Sequence, residues 1–286
     1  MARVTGKLLP NSTGGMMLRV ALLLAVLLAS PLAWGSQRVV SVGGTVTEIV
    51  YALGEGHRLV ADDASSVYPP EATQLPRVGY YRDLSLEGIL SKQPDLLLAS
   101  ENAGPPEVIE RLRAMGVNAV SVSDRPGVDS LYERVDDVAA ALGAAQAGED
   151  LKRRIRASLE AVGPFAAPGS TALVVVHRGG PLQAAGAGTS ADALLKLAGY
   201  TNAAAASNGY KPVSEEALAA LAPDVIVTTT TSVESSGGLA AFRERPGVAM
   251  TPAGQAGQVV AIDDLLLLGM GPRVAQAVTL LREAAR

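Results

Sequence analysis

Two stretches 129 residues apart, SLEGILSKQPDLLLAS (85–100) and SEEALAALAPDVIVTT (214–229), limit what this chain can fold into. Each runs through a serine cap, an acidic first turn, an apolar stripe, a Pro-Asp stop and a β-rich run, the pattern of a helix followed by a strand. GGTVTEIVYALG (43–54) aligns in the same way with GTSADALLKLAG (188–199), and Gly79-Tyr80 precedes the first unit much as Gly209-Tyr210 precedes the second. Three correspondences in one order predict an α/β chain built as two similar lobes.

The remaining pattern fills in these lobes. Strands are expected over 38–42, 59–61, 95–100 and 119–122, then over 171–176 and 223–228. Helices are expected after Thr45 or Thr47, over 84–93 and 106–115, then over 190–198 and 214–221. Such βαβ alternation implies mostly parallel sheets with helices on their faces. Between the lobes, Val135, Val138, Leu142, Leu151, Ile155 and Leu159 recur at helical spacing, with a break near Gly143 or Gly148. This region predicts a long helical link and a cleft between the lobes whose walls move little. The expected divisions are 1–35, 36–128, 129–168 and 169–286.

The first of these divisions reads as a signal for export. Arg3, Lys7 and Arg19 precede or open the apolar run LRVALLLAVLLASPL (18–32), and Ala33-Trp34-Gly35 follows with small residues. The alternative, a membrane anchor, needs a longer run, so cleavage after Gly35 is expected. Cleavage removes three basic residues and no acidic one, taking the net charge from −4 to −7. An acidic chain without basic runs argues against nucleic acid as partner. No later run approaches membrane length, and the chain has no cysteine for a disulfide or a lipid anchor. A freely diffusing, monomeric periplasmic protein, not inserted in a membrane, is the expectation.

Catalytic patterns are absent: there is no nucleophile elbow, no HExxH and no P-loop. In RVGYYRDLS (77–85), two tyrosines stand together beside Arg82 in a chain that is 3% aromatic. On the residues alone, Tyr80 and Tyr81 are either amphipathic lining of a cleft or ligands in it. Gly79 would let the backbone turn there. His57 lies in the turn GEGHR and reads as solvated, whereas His177 ends an apolar strand. The carboxyl ends of such strands face the binding crevice in open α/β sheets. The acid pairs Asp62-Asp63 and Asp263-Asp264 are either metal sites or solvated loop charges.

With these pieces in place, the sequence resembles the helix-linked (class III) periplasmic binding proteins that feed ABC importers of iron chelates, cobalamin and haem. The stretches RVVSVGGTVTEIVYALGEGHRLVADDASSVYP, VGYYRDLSLEGILSKQPDLLLAS, AAGAGTSADALLKLAG, GYKPVSEEAL and LGMGPR carry the resemblance, in the family's order. They look most like the haem-binding branch. The resemblance implies that Tyr80 is the axial ligand of haem iron, the cargo being haem b, and that Arg82 hydrogen-bonds its oxygen. Tyr81 stands where Met or Leu is commoner in that branch.

The chemistry is coherent, because a phenol titrates near ~10 and needs a cation to favour its phenolate. Ferric iron and a guanidinium both supply that, and tyrosinate is a recognised haem ligand. His177 is a candidate second ligand from the opposite lobe. Arg178, Tyr210, Lys211 and Arg273 are candidates around the haem edge, where propionates need cationic partners. The backbone of Ala184–Thr189 could add N–H donors at a helix start. Glu87 and Glu216, matched in the two repeats, either favour their helix dipoles or, as the resemblance implies, dock on the permease subunits of an ABC importer. A ferric siderophore or a corrinoid is the alternative cargo, and a secreted haem-modifying enzyme is a more distant reading.

Overall fold

The computed structural model describes residues 1–2 and 37–284. The expected export signal, with Arg3, Lys7 and Arg19, lies outside the described residues.

The first lobe begins with β1 (Val39–Val42), α1 (Gly44–Ala52) and β2 (Leu59–Asp62). A short pair of strands, β3 (Gly79–Tyr80) and β4 (Asp83–Leu84), then leads to α2 (Leu86–Leu90), β5 (Leu96–Ser100), α3 (Pro106–Ala114) and β6 (Asn118–Val122). Four of these strands form a parallel sheet in the order β2-β1-β5-β6. Every residue of β1 and β5 is buried, as expected of strands covered on both faces.

The second lobe repeats this order. It contains β7 (Thr171–Val176), β8 (Gln183–Ala185), α6 (Ser190–Ala198), β9 (Thr201–Asn202), β10 (Tyr210–Pro212), α7 (Glu215–Leu221), β11 (Val225–Thr229) and β12 (Val259–Ile262). Its parallel strands run β9-β7-β11-β12, the counterpart of β2-β1-β5-β6. Antiparallel β8 and β10 extend the sheet. Four short helices, α8 (Thr230–Ser235), α9 (Leu239–Arg243), α10 (Pro246–Ala249) and α11 (Pro252–Gln255), precede β12, and α12 (Asp264–Leu268) and α13 (Val274–Glu283) follow it.

The link is two helices rather than one rod. It comprises α4 (Val128–Leu142) and α5 (Ala145–Glu160), which pack on each other across a turn at Gly143. Gly143 adopts φ 69° and ψ 24°, the left-handed conformation that ends a helix and that glycine reaches without steric cost. Gly148 stays inside α5, where a Cβ would approach Ala139 Cβ to 2.8 Å, so its smallness lets the two helices close.

Folding the link back gives both lobes a common core. One apolar cluster runs from Ile49 of α1 through Leu131 and Val135 of α4 and Leu151 of α5 to Leu194 of α6 and Val278 of α13. Smaller clusters lie on the outer sides of the two sheets. Polar bonds reinforce the seam. Thr45 Oγ1 and Arg134 Nη1 both donate to the Gly269 carbonyl, at 3.0 and 3.1 Å. Neither Thr45 nor Thr47 caps α1: Gly43 occupies the cap, and Thr47 instead bonds Ser41 and Ser66 inside the lobe.

Candidate functional site

Antiparallel strands and the turn between β3 and β4 carry the tyrosines. In the first lobe, Gly79↔Leu84 and Tyr80↔Asp83 pair as a minimal hairpin whose turn is Tyr81-Arg82. Gly79 has φ 110°, and a Cβ there would lie 2.7 Å from the Asp83 carbonyl oxygen. No other residue fits that position without moving the hairpin. Tyr80 is 38% exposed, whereas Tyr81 is half-buried against the outer core of the lobe. Their rings meet edge to face, with centroids 4.6 Å apart.

Burial, with the neighbouring Tyr80 hydroxyl adding to it, pushes the Tyr81 phenol up to about 12 despite the nearby Arg82 charge. The Arg82 guanidinium carbon lies 4.9 Å from the Tyr81 ring centroid, a cation–π contact. The geometry therefore divides the pair: Tyr81 is a protonated support, and Tyr80 is the phenol presented outward.

The hairpin faces a cleft of two adjoining compartments, about 510 and 520 Å³, each within the size range of small-molecule sites. Tyr81, Asp124, Arg178 and Leu268 line both. The compartment holding Tyr80 has apolar walls from Val46, Ala64, Val67, Leu265 and Leu268, with Gly43, Gly44 and Gly269 also against it. The other holds Arg82, Arg178, Asn102, Gln183 and Tyr210 and is richer in polar groups.

Tyr210 projects from β10, whose antiparallel pairing with β8 sets Tyr210 opposite Ala185. Desolvation pushes its phenol up to about 12, opposed by Arg178 and Arg82. An arginine from each lobe thus acts on the same phenol. Arg178 is exposed, its nearest carboxylate being Asp264 at 3.9 Å. Two cations and one phenol donor in a half-open pocket can hold an anionic ligand edge.

Other expected site residues sit elsewhere. His177 is buried at 7% exposure and lies behind the cleft wall rather than on it, while its neighbours Val176 and Arg178 line the polar compartment. Its backbone N–H donates to Ser232 Oγ at 2.9 Å. Lys211 is exposed on β10 and lines neither compartment, because alternation along the strand points Tyr210 and Lys211 to opposite faces.

Arg273 is not a cleft cation. It bonds Glu48 through Nε and Nη2 at 3.0 and 3.1 Å and stacks at 3.5 Å over the Tyr68 ring. Burial raises the Glu48 carboxyl above the usual range, and Arg273 acts against that rise. This pair joins α1 to the segment before α13, a role that sequence spacing did not reveal. The N–H groups of Gly186 and Ala187 bond Gly209 and Ser207 carbonyls, and that of Gly188 bonds Asp192. The Ala184–Thr189 turn therefore offers them to no ligand.

The acid pairs also resolve. Asp62 and Asp63 are both fully buried rather than solvated. Asp62 accepts from Arg77 Nη1 at 2.5 Å, its Oδ2 has no partner among the described residues, and burial pushes its carboxyl up to about 7. Asp263 caps α12 through Leu266 N–H, while Asp264 accepts from Thr230 and Thr231. Among the described residues no group of three or more His, Cys, Asp or Glu is placed to hold a metal ion. His57 is exposed, as expected.

Glu87 and Glu216 are exposed in the first turns of α2 and α7, each behind a capping serine, Ser85 or Ser214. Hydrogen bonds from its own backbone N–H and from Ser214 hold the Glu216 carboxyl below the usual range. Among the described residues no helix is long and apolar enough to cross a membrane.

Comparison with known proteins agrees with this architecture. A model of the family described as "Periplasmic binding protein" matches residues 39–266. The periplasmic heme-binding protein RhuT from Roseiflexus sp. RS-1, solved in apo form, superposes with a TM-score of 0.83 at 42% identity, covering 88% of this chain and 98% of that one. An uncharacterized ABC transporter substrate-binding lipoprotein of Bacillus subtilis is 27% identical over 255 residues, covering 87% of this chain and 79% of its own. A vitamin B12-binding protein of Yersinia pseudotuberculosis is 34% identical over 121 residues, or 42% of this chain and 43% of its own.

Proposed function

Because the chain belongs to the periplasmic binding protein family, we propose that it captures ferric haem in the cleft through a Tyr80 phenolate and delivers it to an ABC importer. The observation that carries this reading is the placing of Tyr80. It is the outward member of the tyrosine pair, set in the apolar compartment, while its neighbour is kept protonated by burial. A porphyrin is a large apolar disc with two carboxylates on one edge. Apolar walls beside Tyr80 suit the disc, and the compartment with Arg82, Arg178 and Tyr210 suits the carboxylates.

Bound ferric iron supplies the charge that lets the phenol ionise, and this chain supplies the oxygen, the walls and the cations. Reduction to the ferrous state weakens a hard oxygen ligand, which suits a carrier that must release its cargo. Likeness to a heme-binding protein over nearly the whole described chain supports the same cargo. Glu87 and Glu216, one per lobe, would meet the permease. The protein would act as a monomer in the periplasm.

Titrating the purified protein with hemin tests the reading. A stoichiometric high-spin ferric tyrosinate spectrum that vanishes in Tyr80→Phe is expected; absence of binding, or an unchanged Tyr80→Phe spectrum, defeats it. A corrinoid is the second reading, favoured by the local likeness to a vitamin B12-binding protein. Cobalamin binding that ignores Tyr80→Phe, without hemin binding, would establish it instead.

A further inference from the structure

One buried carboxylate lies behind the tyrosine hairpin, and the cargo reading leaves it without a role. Asp63 is fully buried, and each of its oxygens accepts two hydrogen bonds. Oδ2 accepts from the backbone N–H of Tyr81 at 3.0 Å and of Ser65 at 2.9 Å. Oδ1 accepts from the backbone N–H of Gly43 at 2.8 Å and from Ser66 Oγ at 3.0 Å. The next residue completes the arrangement, since Ala64 N–H donates to the Gly79 carbonyl at 2.8 Å.

The Gly79 carbonyl belongs to the peptide before Tyr80, and the Tyr81 N–H belongs to the peptide after it. Both peptides that set the direction of the Tyr80 side chain are thus fixed from Asp63-Ala64. The same carboxylate fixes Gly43, beside the apolar compartment. Among the described residues no lysine or arginine bonds either Asp63 carboxylate oxygen; Arg77 Nη1 donates instead to the Asp63 backbone carbonyl at 2.6 Å.

A carboxylate accepting four bonds holds its donors in one arrangement, and no neutral isostere can do so. An amide in its place sets an NH2 group, which cannot accept, against one of the two pairs of donors.

We propose that Asp63 is the positioning residue of the cleft: it sets the Tyr80 oxygen against the face of the apolar compartment and thereby determines axial ligation. This rests on the haem reading. It predicts that loss of the Asp63 charge changes the ligation itself and not only the stability of the lobe. Partners that orient a metal ligand typically contribute roughly 10- to 100-fold in affinity.

The test compares wild type, Tyr80→Phe, Asp63→Asn, Ser66→Ala and Val138→Ala. The last variant destabilises the core of α4 far from the hairpin. Hemin titration, the absorption spectrum at saturation and thermal melting are recorded for each. The expected result is a weakened or lost tyrosinate spectrum in Asp63→Asn, with hemin affinity down roughly 10- to 100-fold. Ser66→Ala should move in the same direction by a few-fold, and Val138→Ala should melt earlier with an unchanged spectrum.

If wild type gives no spectrum dependent on Tyr80, the haem reading fails and takes this inference with it. If wild type does and folded Asp63→Asn binds hemin with the same spectrum and affinity, only the positioning role is overturned. Should Asp63→Asn not fold, Ser66→Ala decides: a wild-type spectrum and affinity there overturns the role.

Discussion

Tyr80 and Tyr210 follow glycines at matching places in the two repeats, yet the structure uses them differently. Tyr80 sits on a two-strand hairpin that stands off the sheet, fixed from behind by a buried carboxylate. Tyr210 begins an antiparallel strand built into the six-stranded sheet. Its phenol keeps its proton to about pH 12 and is suited to donate a hydrogen bond. A repeated sequence therefore supplies the same local frame twice, while the backbone behind each phenol differs, a hairpin bonded to Asp63 for Tyr80 and a sheet strand for Tyr210.

The strongest test of this contrast is the pair Tyr80→Phe and Tyr210→Phe. Tyr80→Phe should abolish the tyrosinate spectrum and weaken hemin binding about 100-fold, near 2.7 kcal/mol. Tyr210→Phe should keep the spectrum and lose less than about tenfold, the range of one hydrogen bond. Equal losses in calorimetric titrations would erase the distinction.

The glycines sharpen it at the backbone. Gly79 combines φ 110° with the clash toward Asp83, whereas a Cβ on Gly209, at φ 69°, would meet nothing within 4 Å. Gly79→Ala should destabilise by about 3 kcal/mol and impair hemin binding. Gly209→Ala should cost about 1 kcal/mol, read from chemical denaturation.

Asp62 gives the hairpin side a pH response. Its folded carboxyl, raised to about 7, binds a proton that the unfolded chain releases near its ordinary value of 3.8. Between these values the folded state holds more protons, so stability falls as pH rises through that window. Wild type should lose about 2 kcal/mol between pH 5 and pH 8, and Asp62→Asn should flatten the profile. An Asp62→Asn profile as steep as wild type would assign the pH response elsewhere.

The smallest expected effect on binding belongs to Glu87→Ala combined with Glu216→Ala. Hemin affinity should stay within about twofold, since both carboxylates are solvent-exposed. Transport in a reconstituted importer should be lost. Transport at wild-type rate would remove the docking role from both lobes.

Much of this was legible in the residues. Serine caps at Ser85 and Ser214, the left-handed stop at Gly199 and the buried runs VVSV and LLLAS follow from local chemistry and periodicity. The repeat carried the lobe order, and the Gly-Tyr-Tyr-Arg stretch marked the hairpin. Asp63 and Glu48 gave no comparable signal, because a buried acid looks like a surface acid until its donors are known. His177 and Arg273 show the same limit: a strand end and a glycine-rich turn place a side chain near a cleft without saying whether it faces it.

The sequence by itself determined the two α/β lobes, their helical link and the exposed phenol candidate, since these depend on residues near one another along the chain. Only the tertiary structure decided that the link folds back at Gly143, that Arg273 is taken by Glu48, and that Asp63 stands behind Tyr80. Glu48 and Arg273 are 225 residues apart. Burial and hydrogen bonding between distant segments follow from how the lobes pack, and no spacing along the chain encodes which donor a buried carboxylate will meet.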